Sequence, residues 1–383
     1  MSGTTTAAFR SARSAAPDTE HAIDEVLDGL GDSPGELVVF FASPAHDGPR
    51  VAAALQARHP DASVIGCTDA GEFTESGTGT LGISAAALPT EIITRAESVL
   101  ADFSGGFEVG LARALMQLEV QWGWPLRQLD PSRHVGLALM DGTHGCEERV
   151  NELLGNLAPF LTFVGGSAGD DLAFSETTVL GAGQATTHGA VLTLLEVAVP
   201  FTVVKSCAFE PIGTTLRVTR ADVGERIVWE LDGRPAVERY AEAVGVDPDD
   251  LADAFMVSPL GLMIDGEPWI RSPQQLVEGG GIKFYCEVLE GVDMEVMHST
   301  DLIGETERAI DGARERLGGQ ASGALLFNCI LRRLQMDAEG TADAFTAAFG
   351  GLPVCGFHTY GESYIGHINQ TLTGVVFGRS ASS

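Results

Sequence analysis

Lysine is nearly missing from this chain. Of 23 basic residues only Lys205 and Lys283 are lysines, against 53 acidic residues, and the net charge is −30. So acidic a surface repels nucleic-acid phosphates and anionic lipid over the whole approach, which excludes both as expected partners. The arginine bias reads as genome composition and singles out no arginine by type. Cysteine is sparse as well: six in 383 residues, with no C-x-x-C pair. That excludes a disulfide scaffold, and four of the six sit in apolar runs, as small core residues do in a reducing compartment. Long hydrophobic runs are absent. LVVFFA and GAVLTLL are too short to span a bilayer. The opening MSGTTTAAFRSARSAAPDT lacks the continuous apolar core of a secretory signal. A soluble, cytoplasmic protein without membrane insertion is expected, with residues 1–33 a disordered or extended lead-in and 379–383 a tail.

What is present is self-similarity. LVVFFASP is followed by VAAALQARH and then ASVIGCTDAGEFT; VGLALMDG by EERVNELLGNL and LTFVGGSAGDDLAF; GALLFNCI by a stretch through DAFTAAFGG and LPVCGFHTYGESY. Each set reads as strand, amphipathic helix, strand, and each second strand stops at a glycine, Gly66, Gly165 or Gly356. Six residues on stands an acid: Glu72, Asp171 or Glu362. A further strand follows each turn (TLGISAAAL, HGAVLTLLEV, TLTGVVFG). A helical crossover makes the first two strands of a unit parallel, and the looped third strand is expected antiparallel. The fold class is therefore α/β, with mixed sheets covered by helices and built from internally repeated strand–helix–strand–turn–strand units. Between the second and third units lie strand-like FTVVKSCAF, TTLRVTRADV and GIKFYCEVLEGVDMEVMHS and a short helix, PAVERYAEAVG. A domain seam is placed near residue 222.

GTGTLG (77–82) lacks the strand before and helix after that a dinucleotide site needs. HGCEER (144–149) lacks the second His or Cys a metal would want, so no metal site is assigned, and its acids suit a helix start. Cys329, near a helix start and two arginines, is either a lowered-pKa thiol or a small packing residue. NQT (369–371) reads as loop amides beside the third acidic turn. The three acids either accept backbone N–H bonds and stiffen their turns or hold an ammonium group. No nucleophile–base set is visible, so binding is favoured over catalysis.

VIGCTDAGEFT, VGGSAGDDLAF, VWELDGRPAVERY, LFNC followed by arginines, and VCGFHTYGES followed by NQT together resemble the FIST family over about residues 34–378. The resemblance implies an N-terminal FIST domain (34–222) and a C-terminal one (223–378), acting as a sensory module of signal transduction. The expected function is a stand-alone protein binding an amino acid or similar polar metabolite and acting on a partner such as a kinase or cyclic-dinucleotide enzyme. The candidate ligand residues are Thr68, Gly71, Glu72, Gly166, Ser167, Asp170, Asp171, Asn328, Cys329, Gly361 and Glu362. Two alternatives stay open. One is the haem-binding nitric-oxide sensor that some members are, with His144, His188, His358 and His367 as candidate iron ligands. The other is an enzyme of unknown reaction.

Overall fold

The computed structural model describes residues 8–32 and 35–379. Its architecture follows from the continuous apolar runs. In Gly35–Ala42, Leu37, Val39 and Phe41 face one core and Val38, Phe40 and Ala42 another. A strand buried on both faces has no polar alternation, and this is why the run is uninterrupted. The strands His134–Met140 and Ala321–Cys329 do the same. Val135, Leu137, Leu139, Leu325 and Phe327 join the first core, while Ala138, Met140, Ala324 and Leu326 face outward under helices.

Three six-stranded mixed sheets surround that shared core and share one plan. In each, a central strand has a parallel neighbour joined through a helical crossover: Gly35–Ala42 with Ser63–Thr68, His134–Met140 with Phe163–Ser167, and Ala321–Cys329 with Val354–Thr359. An antiparallel strand, Ile83–Pro89, Gly189–Val197 or Thr371–Gly378, lies on the other side. The crossover helix Gly48–Arg58 starts where Asp47 accepts the Arg50 N–H at 3.1 Å with a proline in the first turn.

Beyond each parallel pair the sheets exchange material in a ring. The hairpin Glu72–Thr74/Gly77–Gly79 of the first unit extends the third sheet, pairing with Val354–Thr359. The hairpin Glu362–Tyr364/His367–Ile368 of the third unit extends the second sheet, on Phe163–Ser167. The hairpin Val179–Gly181/Gln184–Thr186 of the second unit extends the first sheet, on Ser63–Thr68.

The lead-in departs from expectation. Arg10–Ser14 is the edge strand of the first sheet, and Thr19–Leu30 is a helix capped by Asp18 that buries Ala22, Ile23, Val26 and Leu30 on it. Backbone pairing with Ile83–Pro89 and a regular apolar stripe order a segment whose composition alone looks unstructured. Residues 1–7 and 33, and the tail beyond Arg379, lie outside the described residues. The material between the second and third units forms a fourth, antiparallel sheet with its own core, including Leu216, Val218, Tyr240, Phe284 and Met294. Residue 222 falls at the tip of the hairpin joining Phe209–Asp222 to Ile227–Leu231, both in that sheet. Among the described residues no helix is long and apolar enough to cross a membrane.

Candidate functional site

A cleft of about 350 Å³ opens where the loop after His134–Met140 meets the fourth sheet. Loops at the carboxyl ends of parallel strands are where open α/β sheets collect ligand groups, because the chain turns there without ladder constraints. One wall carries Thr143, His144 and Glu147; the other carries Arg226, Lys283 and Glu287, with Phe174 and Tyr360 adding ring surface.

Asp141, directly after the strand, is fully buried. Its Oδ1 accepts the Thr143 N–H (2.9 Å) and the hydroxyls of Thr143 (2.8 Å) and Thr177 (2.7 Å). Its Oδ2 bonds Nδ1 of His144, whose ring stacks on His188 at 4.3 Å between centroids. One carboxylate thus fixes the loop and orients the imidazole.

Across the cleft, Arg226 bonds Glu147 (2.8 Å), Glu148 (2.5 Å) and the Tyr285 carbonyl (2.8 Å). Burial works against the guanidinium's charge, but the two carboxylates outweigh it and hold the group above its ordinary value. Burial likewise raises the Glu147 carboxyl, yet Arg226 holds it below the usual range. Arg226 adopts φ 56°, a left-handed conformation that costs a non-glycine residue free energy and here aims the fork at helix Glu147–Leu157. Glu287 is pushed up by burial and then by Glu148. Lys283 has no carboxylate within 4.0 Å among the described residues, whereas Lys205 pairs with Glu267 at 2.9 Å.

The eleven candidate ligand residues lie around the strand ends, and none of them lines this cleft. Glu72 is buried and held by Arg13 (2.9 Å) and the Gly82 N–H (3.3 Å). Glu362 is buried and accepts from the Thr359 hydroxyl (2.6 Å) and from the N–H and hydroxyl of Thr371 (3.1 and 2.7 Å). Burial pushes its carboxyl up to about 7. Both acids fasten their hairpins. Asp171 does not match them. Glu72 opposes Phe357 and Glu362 opposes Gly166, but the first residue of the second unit's hairpin is Val179, opposite Cys67. The loop before that hairpin is longer, so equal spacing from the glycine does not give an equal place. Asp171 sits in the loop at φ 50° and pairs with Arg333 at 3.0 Å.

Asp170 accepts the N–H groups of Phe174, Ser175 and Glu176 (2.9, 2.7 and 3.0 Å) and the Tyr360 hydroxyl, so it reaches the cleft through that ring. Ser167 reaches it through Glu147 at 3.1 Å. Thr68 accepts the Thr178 N–H at 2.9 Å, and the Gly71 N–H donates to Asp69 at 2.9 Å from φ 114°. Gly166 and Gly361 are packing glycines: a β-carbon would meet Thr359 Cγ2 at 2.4 Å and His367 Cε1 at 2.0 Å. Asn328 joins Arg332 (2.7 Å) to His358 (2.9 Å) inside the core. Cys329 is buried, and burial then Glu362 drives its thiol well up, so it is not the lowered-pKa thiol envisaged.

Haem iron needs a free imidazole nitrogen beside an apolar slot. His358 has both nitrogens engaged, by Asn328 (2.9 Å) and Thr78 (3.2 Å). His367 leaves both ring nitrogens without a hydrogen-bond partner among the described residues, but it is 3% exposed and packed over Gly361, with no slot beside it for a porphyrin. His188 is stacked against His144, which faces a cleft lined by Glu147, Glu225 and Glu287. The residues present do not fit a haem. The sequence pointed to His144 but not to its partner. The signal was an acid at the strand end three residues earlier, in MDGTH. Lys283 stood out only by rarity, and Arg226 and Tyr360 not at all.

A FIST N domain matches residues 36–234 and a FIST C domain residues 236–364. An uncharacterized protein of Methanocaldococcus jannaschii is 26% identical over 191 residues, covering 46% of this chain and 36% of its own length. Uncharacterized proteins of Mycobacterium bovis and Mycobacterium tuberculosis are each 32% identical over 168 residues, covering 40% of this chain and 42% of theirs. The chain spans less than half the length of these curated relatives.

Proposed function

The chain belongs to the FIST family, with N and C domains in tandem, and from that premise we propose that the cleft beside His144 is its sensory site. FIST domains are associated with sensory binding of small ligands in signal transduction. The ligand proposed is a zwitterionic metabolite, an amino acid first of all. The observation that carries this is Lys283, an ammonium with no carboxylate within 4.0 Å among the described residues, in a cleft also lined by Glu225, Glu287 and Phe174. A ligand carboxylate supplies the anion Lys283 lacks, and its ammonium meets the acids; few other small molecules offer both charges at that scale. The bound state is read by a separate signalling protein, such as a kinase or cyclic-dinucleotide enzyme. The site lies between the second unit and the fourth sheet, so occupancy alters how those two bodies are held together.

Thermal-shift titration against the proteinogenic amino acids tests the reading. At about 100 times Kd a bound ligand adds about 2.7 kcal/mol, a shift of several degrees. Lys283→Met should abolish the shift while leaving the melting of the free protein unchanged. No shift with any amino acid, from protein with a cooperative melt, would sink the proposal.

A further inference from the structure

The Asp141–His144 pair does more than a binding site requires. A ligand carboxylate needs only a donor. Here a buried carboxylate, held by the Thr143 N–H and two hydroxyls, bonds Nδ1 of His144. That fixes the tautomer with the proton on Nδ1 and leaves Nε2 as a lone pair. Nε2 has no protein partner among the described residues, the ring lines the cleft, and His188 stacked on its face limits rotation. A base oriented by a buried acid, opening on a cavity large enough for a small molecule, is the arrangement of general-base catalysis.

We infer that His144 is the general base of a hydrolytic site, with Asp141 as its positioning residue and a small carboxylic ester as the substrate class. The class follows from what the cleft holds. The Thr143 hydroxyl is spent on Asp141, and the buried Cys146 thiol points at the Asp141 carbonyl, 3.8 Å away. Neither is a nucleophile, so attack is by water directly. Direct attack suits an ester, whose leaving alkoxide departs more readily than the nitrogen of an amide. In the step, water's oxygen bonds the carbonyl carbon as one of its protons passes to Nε2, and the C=O π pair moves to oxygen. Lys283, which lines the same cleft and has no carboxylate within 4.0 Å among the described residues, is the cation assigned to the resulting oxyanion. Collapse restores the C=O, breaks the bond to the leaving oxygen, and returns the proton from His144 to it. One water is consumed, one acid and one alcohol are formed, and no redox partner is needed.

The test is hydrolysis of p-nitrophenyl acetate by the full chain. Wild type should exceed the His144→Asn variant by at least about 100-fold in kcat/KM, the usual contribution of a positioned base, and should slow in deuterium oxide. His144 is 45% exposed, so the variant should melt with the parent. If it does and wild type hydrolyses the ester no faster, the hydrolytic assignment is overturned. Amino-acid binding is measured separately by thermal shift, so retained stabilisation without turnover would overturn this inference and leave the sensory reading standing.

Discussion

At the scale of single residues, the buried acids separate by partner. Glu362 has hydroxyls and an amide but, among the described residues, no cation within 4.0 Å, Arg332 acting on it only from farther off, and burial lifts its carboxyl from an ordinary 4.5 to about 7. The folded state therefore binds a proton that the unfolded chain has released between those values. The resulting stabilisation is full below about pH 4.5 and is lost as pH rises through 7, about 3 kcal/mol in all. Glu362→Gln keeps the shape without the charge. Relative to wild type it should gain stability as pH is raised from 5 to 8, read as a difference in urea midpoints, and a flat difference would refute the assignment. Glu72 is also raised by burial, but Arg13 opposes that shift. Arg13→Met would strand the carboxylate and should cost about 3 kcal/mol or more near neutral pH, measured by the same midpoints. The sequence offered both acids as ligand candidates because it shows spacing and not partners. The hydroxyls and the guanidinium that claim them lie on other turns and strands.

At the scale of elements, the strands that read correctly are those buried on both faces, where an unbroken apolar run leaves few alternatives. Arg10–Ser14 did not read as a strand, since RSARS has no apolar pattern and is ordered by pairing with Ile83–Pro89. The two- and three-residue hairpin strands are legible only as turns. Their partners are set by how sheets meet, not by local preference. The Asp141–His144 pair was half legible for a similar reason: Thr177, which holds the carboxylate, comes from a distant loop, and the cleft exists only once the fourth sheet closes it. Helix Glu147–Leu157 and the fourth sheet are joined through Arg226. Arg226→Gln leaves two carboxylates facing each other. It should raise amide hydrogen exchange at residues 141–149 and 283–287 several-fold, with strands of the shared core unchanged. Equal exchange in both regions would show that this ion pair does not hold the cleft's walls.

At the scale of the whole molecule, the shared core draws Phe41, Leu137, Val164, Phe327 and Phe357 from all three sheets, so the two family domains meet across a single interior. A fragment ending near residue 235 would expose Phe41 and Leu137 and lose the partner of Glu72–Thr74. It should lack a cooperative thermal transition, and a sharp melt of that fragment would disprove the dependence. The ring of exchanged hairpins also has a consequence in time. The segment around Phe73 leaves the ribosome about three quarters of the chain ahead of Val354–Thr359, the strand it must join. At ordinary elongation rates that wait is on the order of tens of seconds. Throughout it, a phenylalanine destined for full burial and two unpaired strand edges stand open to the cell. Synthesis of this protein therefore depends on whatever shields that nascent edge, and slowing translation of its last third should raise the fraction lost to aggregation.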